Sequence, residues 1–128
     1  MPTKKHLFDE LAELIHEITE KCPAVREFSV ETHAKELVSE AEEVQEAIEK
    51  EDWENLKEEL GDVLWDWITL CKLAEKRNLF TTKEVLEQLR EKIHRRNPHV
   101  FGDIKVNNKE EALALWQDIK RKEKEGKF

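Results

Sequence analysis

The sequence predicts an all-α fold, because three of its properties favour long helices over strands. Only 3 Gly and 3 Pro occur among its 128 residues, so few positions force the chain to turn. Apolar residues recur every three or four positions over long stretches. A strand-like pattern extends no further than the segment VFGDIKV. These properties predict a bundle of about five helices that forms a single domain over residues 1–128.

The first three predicted helices follow from this periodicity and from their end residues. The first runs over 4–21 and ends at Cys22-Pro23, since proline disfavours a helical conformation in the residue before it. The second begins near Thr32 and stops around Lys50. Asp52 is the predicted N-cap of the third, which continues to about Arg77.

Two further helices are predicted in the last part of the chain. One opens at the segment TTKE, where Thr81 and Glu84 fit a capping box, and closes before Pro98. An irregular segment, HVFGDIKVN, follows it. The last helix starts near Asn108, and its apolar face carries Ala112, Leu115, Trp116 and Ile119.

Composition limits the classes of partner. The net charge of −8 argues against a general nucleic-acid binder or an anionic-membrane binder, although an acidic protein can handle phosphates through a divalent cation. No segment approaches the roughly 18 apolar residues of a membrane span. Two cysteines are too few for a disulfide framework, so we expect a cytoplasmic protein.

The second and third predicted helices carry carboxylates beside their apolar stripes. At about 100° per residue, the stripes are Leu37, Ala41, Val44 and Ile48 on the second helix, and Leu56, Leu60, Val63 and Trp67 on the third. A band roughly 60–120° to the same side of each stripe is acidic. Its acids are Glu36, Glu40 and Glu43 on the second helix, and Glu59, Asp62 and Asp66 on the third.

This arrangement predicts a metal site at the rim between two antiparallel helices. A connection of two or three residues makes the helices pack antiparallel, which brings Glu40 and Glu43 near Glu59 and Asp62. Four such carboxylates repel one another unless protons or cations neutralise them. Oxygen ligands without His or Cys suit Mg²⁺ first and Mn²⁺ next, and Ala47 would leave room for a ligand. The alternative is that these acids are solvated and pair with nearby lysines.

The acidic pattern resembles the metal-binding motif of MazG-type nucleoside triphosphate pyrophosphohydrolases. The matching residues are Glu40-x-x-Glu43 and, after a spacer, Glu59-x-x-Asp62. The similarity extends over about 22–124 and includes RRNPHVFGD and the W-x-x-I-K of the last helix. It implies an all-α enzyme that uses Mg²⁺ to hydrolyse a nucleoside triphosphate between its α- and β-phosphates, giving a monophosphate and pyrophosphate. A carboxylate of the cluster, Glu43 as first choice, would orient or deprotonate the attacking water.

The resemblance also implies a nucleotide-binding role for residues of the last two predicted helices. Lys92 and Arg96 are four positions apart and share a helix face, and Trp116 and Lys120 repeat that spacing. Arg95 is a further candidate for a phosphate contact. Trp116 either stacks on a base or fills the core.

The sequence departs from the family pattern just before the acidic motif. Ala24 and Val25 stand where relatives have Trp-Asp, Phe28 replaces Gln, and Ser39 replaces the first of paired glutamates. These changes leave the base preference open and motivate an alternative, a helical interaction module that has lost catalysis. The substrate also stays open among damaged nucleotides, ordinary triphosphates, dUTP- or dCTP-like nucleotides and an alarmone.

Self-association is predicted from one aromatic residue and from the resemblance. Trp65 lies nearly opposite the apolar stripe of its helix, at about 160°. Dimerisation would cover it, and burial under the first or last helix is the alternative. The resemblance implies a site completed in a homodimer or higher homo-oligomer.

Overall fold

Residues 1–127, which this computed structural model describes, contain six α-helices, one short 3₁₀ helix and no strand. The α-helices are α1 Lys4–Lys21, α2 Val30–Glu49, α3 Trp53–Lys76, α4 Thr82–Arg96, α5 Pro98–Phe101 and α6 Lys109–Lys124, and the 3₁₀ helix is Val25–Glu27. The all-α prediction is confirmed. Among the same residues, no helix is long and apolar enough to cross a membrane.

The structure has one α-helix more than the sequence predicts. The additional helix, α5, lies in the segment predicted to be irregular, where Pro98 occupies its first position. Four residues make a single turn, which is too short to produce a visible apolar period.

Two compact units divide the chain, the first spanning Met1–Thr82 and the second beginning at Lys83. The first unit contains the helices α1 to α3, and the second contains most of α4 together with α5 and α6. That residues 1–128 form a single domain stays a prediction.

A tight turn of three residues joins α2 to α3. Glu51 adopts a left-handed conformation with φ of 52°, and the N–H groups of Glu51 and Asp52 donate to the carbonyls of Ile48 and Ala47. This is the Schellman pattern that ends many helices. Asp52 then caps α3 by accepting a hydrogen bond from the backbone N–H of Asn55 at 3.2 Å, as predicted.

The α2–α3 pair is antiparallel and forms the most extensive helix contact of the first unit. At the end opposite the turn, Arg77 donates to Glu31 at 2.7 Å, which ties the end of α3 to the start of α2. Helix α1 packs on the other side of α3, where Thr19 and Ile68 are fully buried. Lys76 donates to the carbonyl of Thr19 at 3.3 Å and joins these two helices.

The face that α2 presents to α3 differs from the predicted apolar stripe. Ile48 is 47% exposed and Leu60 is 53% exposed, whereas Ala47 is fully buried and Glu59 is only 9% exposed. The buried or half-buried seam is His33, Leu37, Glu40, Val44 and Ala47 on α2, and Glu59, Asp62, Asp66, Thr69 and Leu73 on α3. These positions alternate steps of three and four residues, the spacing of closely packed helix pairs. Glu40 and Glu59 therefore lie within the seam, whereas Glu43 is exposed beside it, and Ala47 is buried in the seam.

In the second unit, α4 and α6 are linked through one carboxylate. Glu123 of α6 accepts hydrogen bonds from Arg95 at 2.7 Å and from Arg96 at 2.8 Å. The last helix starts beside Asn108, as predicted, and Asn108 caps it by accepting a hydrogen bond from the N–H of Glu111 at 2.9 Å.

Candidate metal centre and nucleotide pocket

Three glutamates of α2 and α3 lie close together, two of them in the seam and one exposed beside it. Glu40 and Glu43 are three positions apart on α2 and so share a face, and Glu59 faces them from α3. One carboxylate oxygen from each lies within 4.8 Å of the other two. The structure thus brings together three of the four ligands that the sequence predicts.

The three carboxylates of this cluster disfavour one another's negative charge. Hydrogen bonding to Glu43, burial, and hydrogen bonding to Glu40 raise the pKa of Glu59 to about 7. Burial raises the pKa of Glu40, and the charges of Glu43 and Asp62 add to this rise. One oxygen of Glu40 and one of Glu59 are buried without a hydrogen-bond partner. Either a proton or a cation bound at the cluster would reduce this repulsion.

The donor set fits a hard divalent cation. All three groups are carboxylates, and no nitrogen or sulfur ligand joins them in the cluster. Magnesium and manganese prefer such oxygen ligands. The two unpartnered buried oxygens are the atoms that a cation would satisfy.

Asp62, the fourth predicted ligand, stands beside the cluster. It follows Glu59 by three positions on α3 and is half-buried. Its charge contributes to the raised pKa of Glu40. Asp62 also lines the neighbouring pocket and so connects the cluster to that cavity.

A cavity of about 430 Å³ opens next to the cluster, in the first unit. Its lining comes from α1, the 3₁₀ segment, α2 and α3, and comprises Ile18, Val25, Phe28, Thr32, His33, Glu36, Glu40, Asp62, Trp65, Asp66 and Thr69. Phe28 and Trp65 supply aromatic surface. Trp65, whose side chain was predicted to point away from the core, is 51% exposed and lines this cavity. The volume and the mixture of apolar and acidic groups are typical of small-molecule sites.

His33 is a pocket residue that the sequence reasoning missed. It is 6% exposed, its ring stacks on Phe28 with centroids 5.5 Å apart, and its Nε2 lies 3.3 Å from Oδ1 of Asp66. Its spacing in the sequence could have predicted this position, because His33 precedes Glu40 by seven residues and so lies on the same face of α2.

The basic residues predicted to bind the nucleotide lie in the second unit. Lys92 is half-buried on α4, and Lys120 is exposed on α6. Arg95 and Arg96 both bind Glu123, and their hydrogen bonds, that of Arg96 first, lower the pKa of Glu123 to about 2.

Trp116 contacts two side chains of the second unit and stays partly exposed, and its role in stacking on a base stays a prediction. Its Nε1 donates to Oδ1 of Asn97 at 3.1 Å, and its ring meets the ring of His99 edge-on at 6.4 Å. The indole is nevertheless partly exposed. These contacts join α6 to the segment that follows α4.

Comparison with known proteins identifies related chains. The model of the MazG nucleotide pyrophosphohydrolase domain matches residues 28–101. The Nucleoside triphosphate pyrophosphohydrolase of Escherichia coli K12 is 35% identical over 103 residues, which are 80% of this chain and 39% of that protein. The Nucleoside triphosphate pyrophosphohydrolase/pyrophosphatase MazG of Thermotoga maritima is 37% identical over 120 residues, 92% of this chain and 46% of that protein. Uncharacterized protein YabN of Bacillus subtilis is 36% identical over 121 residues, 93% of this chain and 25% of that protein.

This chain therefore spans between a quarter and a half of the length of these curated relatives. A solved structure, that of a mazG-related protein from Thermotoga maritima, agrees more fully in size. It is 34% identical and superposes with a TM-score of 0.79, covering 88% of this chain and 98% of its own. The family resemblance noted in the sequence is confirmed. The chain belongs to the MazG nucleotide pyrophosphohydrolase domain family.

Proposed function

We propose that this chain hydrolyses a nucleoside triphosphate between the α- and β-phosphates, with Mg²⁺ as its cation and Mn²⁺ as a substitute. The observation that carries the proposal is the cluster of Glu40, Glu43 and Glu59, whose buried oxygens lack partners, beside an aromatic-walled cavity. The names of the Escherichia coli and Thermotoga maritima relatives state the same activity for those proteins.

In this proposal the four acids of the site hold the cation. Glu40, Glu43 and Glu59 would hold the cation, and Asp62 would join them from the next turn of α3. When bound, a divalent cation supplies the positive charge that a triphosphate and its developing negative charge require. Because α2 and α3 pack against each other over most of their length, the backbone positions of these acids are set by the helix pair.

The hydrolysis itself requires one proton acceptor. The oxygen of a water molecule forms a bond to the α-phosphorus, the bond from that phosphorus to the bridging oxygen breaks, and pyrophosphate leaves with the electron pair. The water gives its proton to a carboxylate of the cluster. Glu43 suits this role, because it is the most exposed of the three glutamates and so meets solvent directly.

The nucleoside would occupy the cavity lined by Phe28 and Trp65. The departures from the family pattern at Val25 and Phe28 fall on the lining of this cavity, whereas the carboxylates are intact. These departures therefore support an altered base preference rather than a loss of catalysis.

The family resemblance supports a nucleotide-binding role for five residues of the second unit, taken by itself: Lys92, Arg95, Arg96, Trp116 and Lys120. Because Glu123 already binds both arginines, a phosphate group would have to compete with this carboxylate or share the guanidinium groups with it.

The experiment is a product assay with each common ribo- and deoxyribonucleoside triphosphate in the presence of Mg²⁺. We expect monophosphate and pyrophosphate from wild type, and a loss of at least about a hundredfold in Glu43→Gln and Glu59→Gln. Glu42→Gln, an exposed change on α2, is the matched control and should retain activity. Absence of turnover with every nucleotide would refute the enzymatic proposal, and release of orthophosphate would refute the position of cleavage.

We also propose that the chain forms a homodimer or a higher homo-oligomer. Leu7, Leu11 and Leu14 form an exposed apolar stripe on α1, at helical spacing. Contiguous apolar surface of this kind is typical of protein contacts. Sedimentation at micromolar concentration tests this proposal, and a monomer would contradict it.

A cytoplasmic location agrees with this substrate class. Cys22 and Cys71 are free thiols, which are compatible with a reducing compartment. A fusion of the chain to a fluorescent protein in the source cells would show a diffuse cytoplasmic signal.

A further inference from the structure

A buried imidazole without a hydrogen-bond partner lines the nucleotide cavity. His33 is 94% buried within the lining, and its Nε2 makes no hydrogen bond. The oxygen of Asp66 is 3.3 Å away, but the N–H direction does not point at it closely enough for a hydrogen bond. An unsatisfied buried polar group costs about 1–3 kcal/mol, so such a group in a cavity lining indicates a bound partner.

The carboxylate of Asp66 determines which hydrogen-bond donors and acceptors it and His33 present to the cavity. An acidic oxygen near Nε2 favours the imidazole tautomer with its proton on that nitrogen, so His33 presents a donor. Asp66, when ionised, presents only acceptors. Burial raises the pKa of Asp66, and the charges of Glu36 and Asp62 add to this rise, while His33 opposes it. Asp66 lines the cavity beside His33, so a ligand N–H in the cavity could add a further donor to this carboxylate.

We propose that His33 and Asp66 read the edge of the base and select nucleotides whose ring nitrogen lies beside an exocyclic amino group. This inference rests on the proposed function and specifies the substrate class for the same site. The amino group would donate to Asp66, and the adjacent ring nitrogen would accept from Nε2 of His33. Cytosine and adenine present this pattern.

The same pair disfavours the corresponding keto bases. Uracil and hypoxanthine carry a carbonyl oxygen where the amino group stands, and this oxygen would face the Asp66 carboxylate, while the protonated ring nitrogen would face the donor of His33. Both contacts are then repulsive or unpaired. A mismatch of buried hydrogen bonds reduces kcat/KM by roughly 10- to 100-fold.

The experiment compares CTP with UTP and ATP with ITP, each pair differing only in the amino or keto group. Hydrolysis gives the ratio of kcat/KM within each pair, and calorimetric binding of CMP, UMP, AMP and IMP gives a readout that does not depend on catalysis. We expect wild type to prefer the amino member of each pair by at least about tenfold in both measurements.

Two variants and one control assign the preference. Asp66→Asn can donate to a keto oxygen, so we expect its ratios to fall to within about threefold or to invert. His33→Phe retains a ring of similar shape but loses the donor, so we expect weaker preference in both pairs. Glu42→Gln on the exposed face of α2 should keep the wild-type ratios. Circular dichroism verifies that each variant is folded.

The outcomes separate this inference from the proposed function. Hydrolysis and binding of amino and keto nucleotides at equal efficiency would overturn the base preference and leave the hydrolytic function intact. Selective binding of CMP or AMP without any hydrolysis would support the base preference and overturn the hydrolytic function. Neither binding nor hydrolysis would overturn both.

Discussion

Cation binding by this site should release a proton, and the pH dependence of that release can be worked out from Glu59. The pKa of Glu59 stands at about 7 in the metal-free protein, because Glu43, Glu40 and burial disfavour its charge. A cation requires the ionised carboxylate, so the proton and the cation compete for the same oxygen atoms.

The magnitude follows from a single titration at this pKa. With a pKa of about 7, Glu59 is protonated in about 90% of molecules at pH 6 and about 10% at pH 8. Cation binding should therefore release about 0.9 proton at pH 6 and about 0.1 at pH 8. The apparent dissociation constant for Mg²⁺ should be about tenfold larger at pH 6 than at pH 8.

Isothermal titration calorimetry measures both quantities when each pH is repeated in two buffers of different ionisation enthalpy. Glu59→Gln is the control, because its amide cannot titrate and it should bind the cation weakly with no proton release. Equal Mg²⁺ affinity at pH 6 and pH 8, with no proton release by wild type, would refute the reasoning.

Three stability predictions concern other features, each measured by denaturant unfolding. Ile68→Ala removes a fully buried side chain and should lower the free energy of unfolding by about 2–5 kcal/mol. Val38→Ala on the surface should change it by less than about 0.5 kcal/mol. Equal effects of the two variants would contradict the burial of Ile68. Glu51→Gly relieves a left-handed backbone and should raise the free energy of unfolding by about 0.5–1 kcal/mol, and a loss would contradict the turn. The pKa of Glu123 is lowered, so its ion pairs stabilise the folded chain above pH 4.5, and this stability is lost as the pH falls towards about 2. In Glu123→Gln, the free energy of unfolding should decrease less between these pH values than in wild type. An equal decrease would contradict the pairing.

Helix positions follow from the sequence to a large extent, because periodicity and caps act locally. The predicted first helix matches α1, and Asp52 and Asn108 cap α3 and α6 as their side-chain chemistry indicates. Single-turn helices escape such reasoning, which is why α5 was missed. Glu51 was also unexpected in a left-handed conformation, because glycine or asparagine usually occupies that position.

The faces of α2 and α3 were harder to predict, since the rule that apolar residues lie inside fails at this site. Periodicity alone favoured Ile48 and Leu60 for the interior, but both are exposed while Glu59 is buried. Functional sites are the places where such local rules are broken. The sequence predicted that Glu40, Glu43 and Glu59 come close together, and they do, while the burial of Glu59 and the position of His33 in the cavity lining depend on tertiary contacts.

The short turn between α2 and α3 has a consequence for how the site forms. All of its carboxylates lie within residues 40–62, on two helices of one hairpin, so few residues separate the groups that must meet. Local contacts of this kind form early in folding, whereas sites assembled from distant segments must first close long loops. Because the acids of this cluster are close in sequence, their approach costs less loop-closure entropy than a cluster drawn from distant segments would.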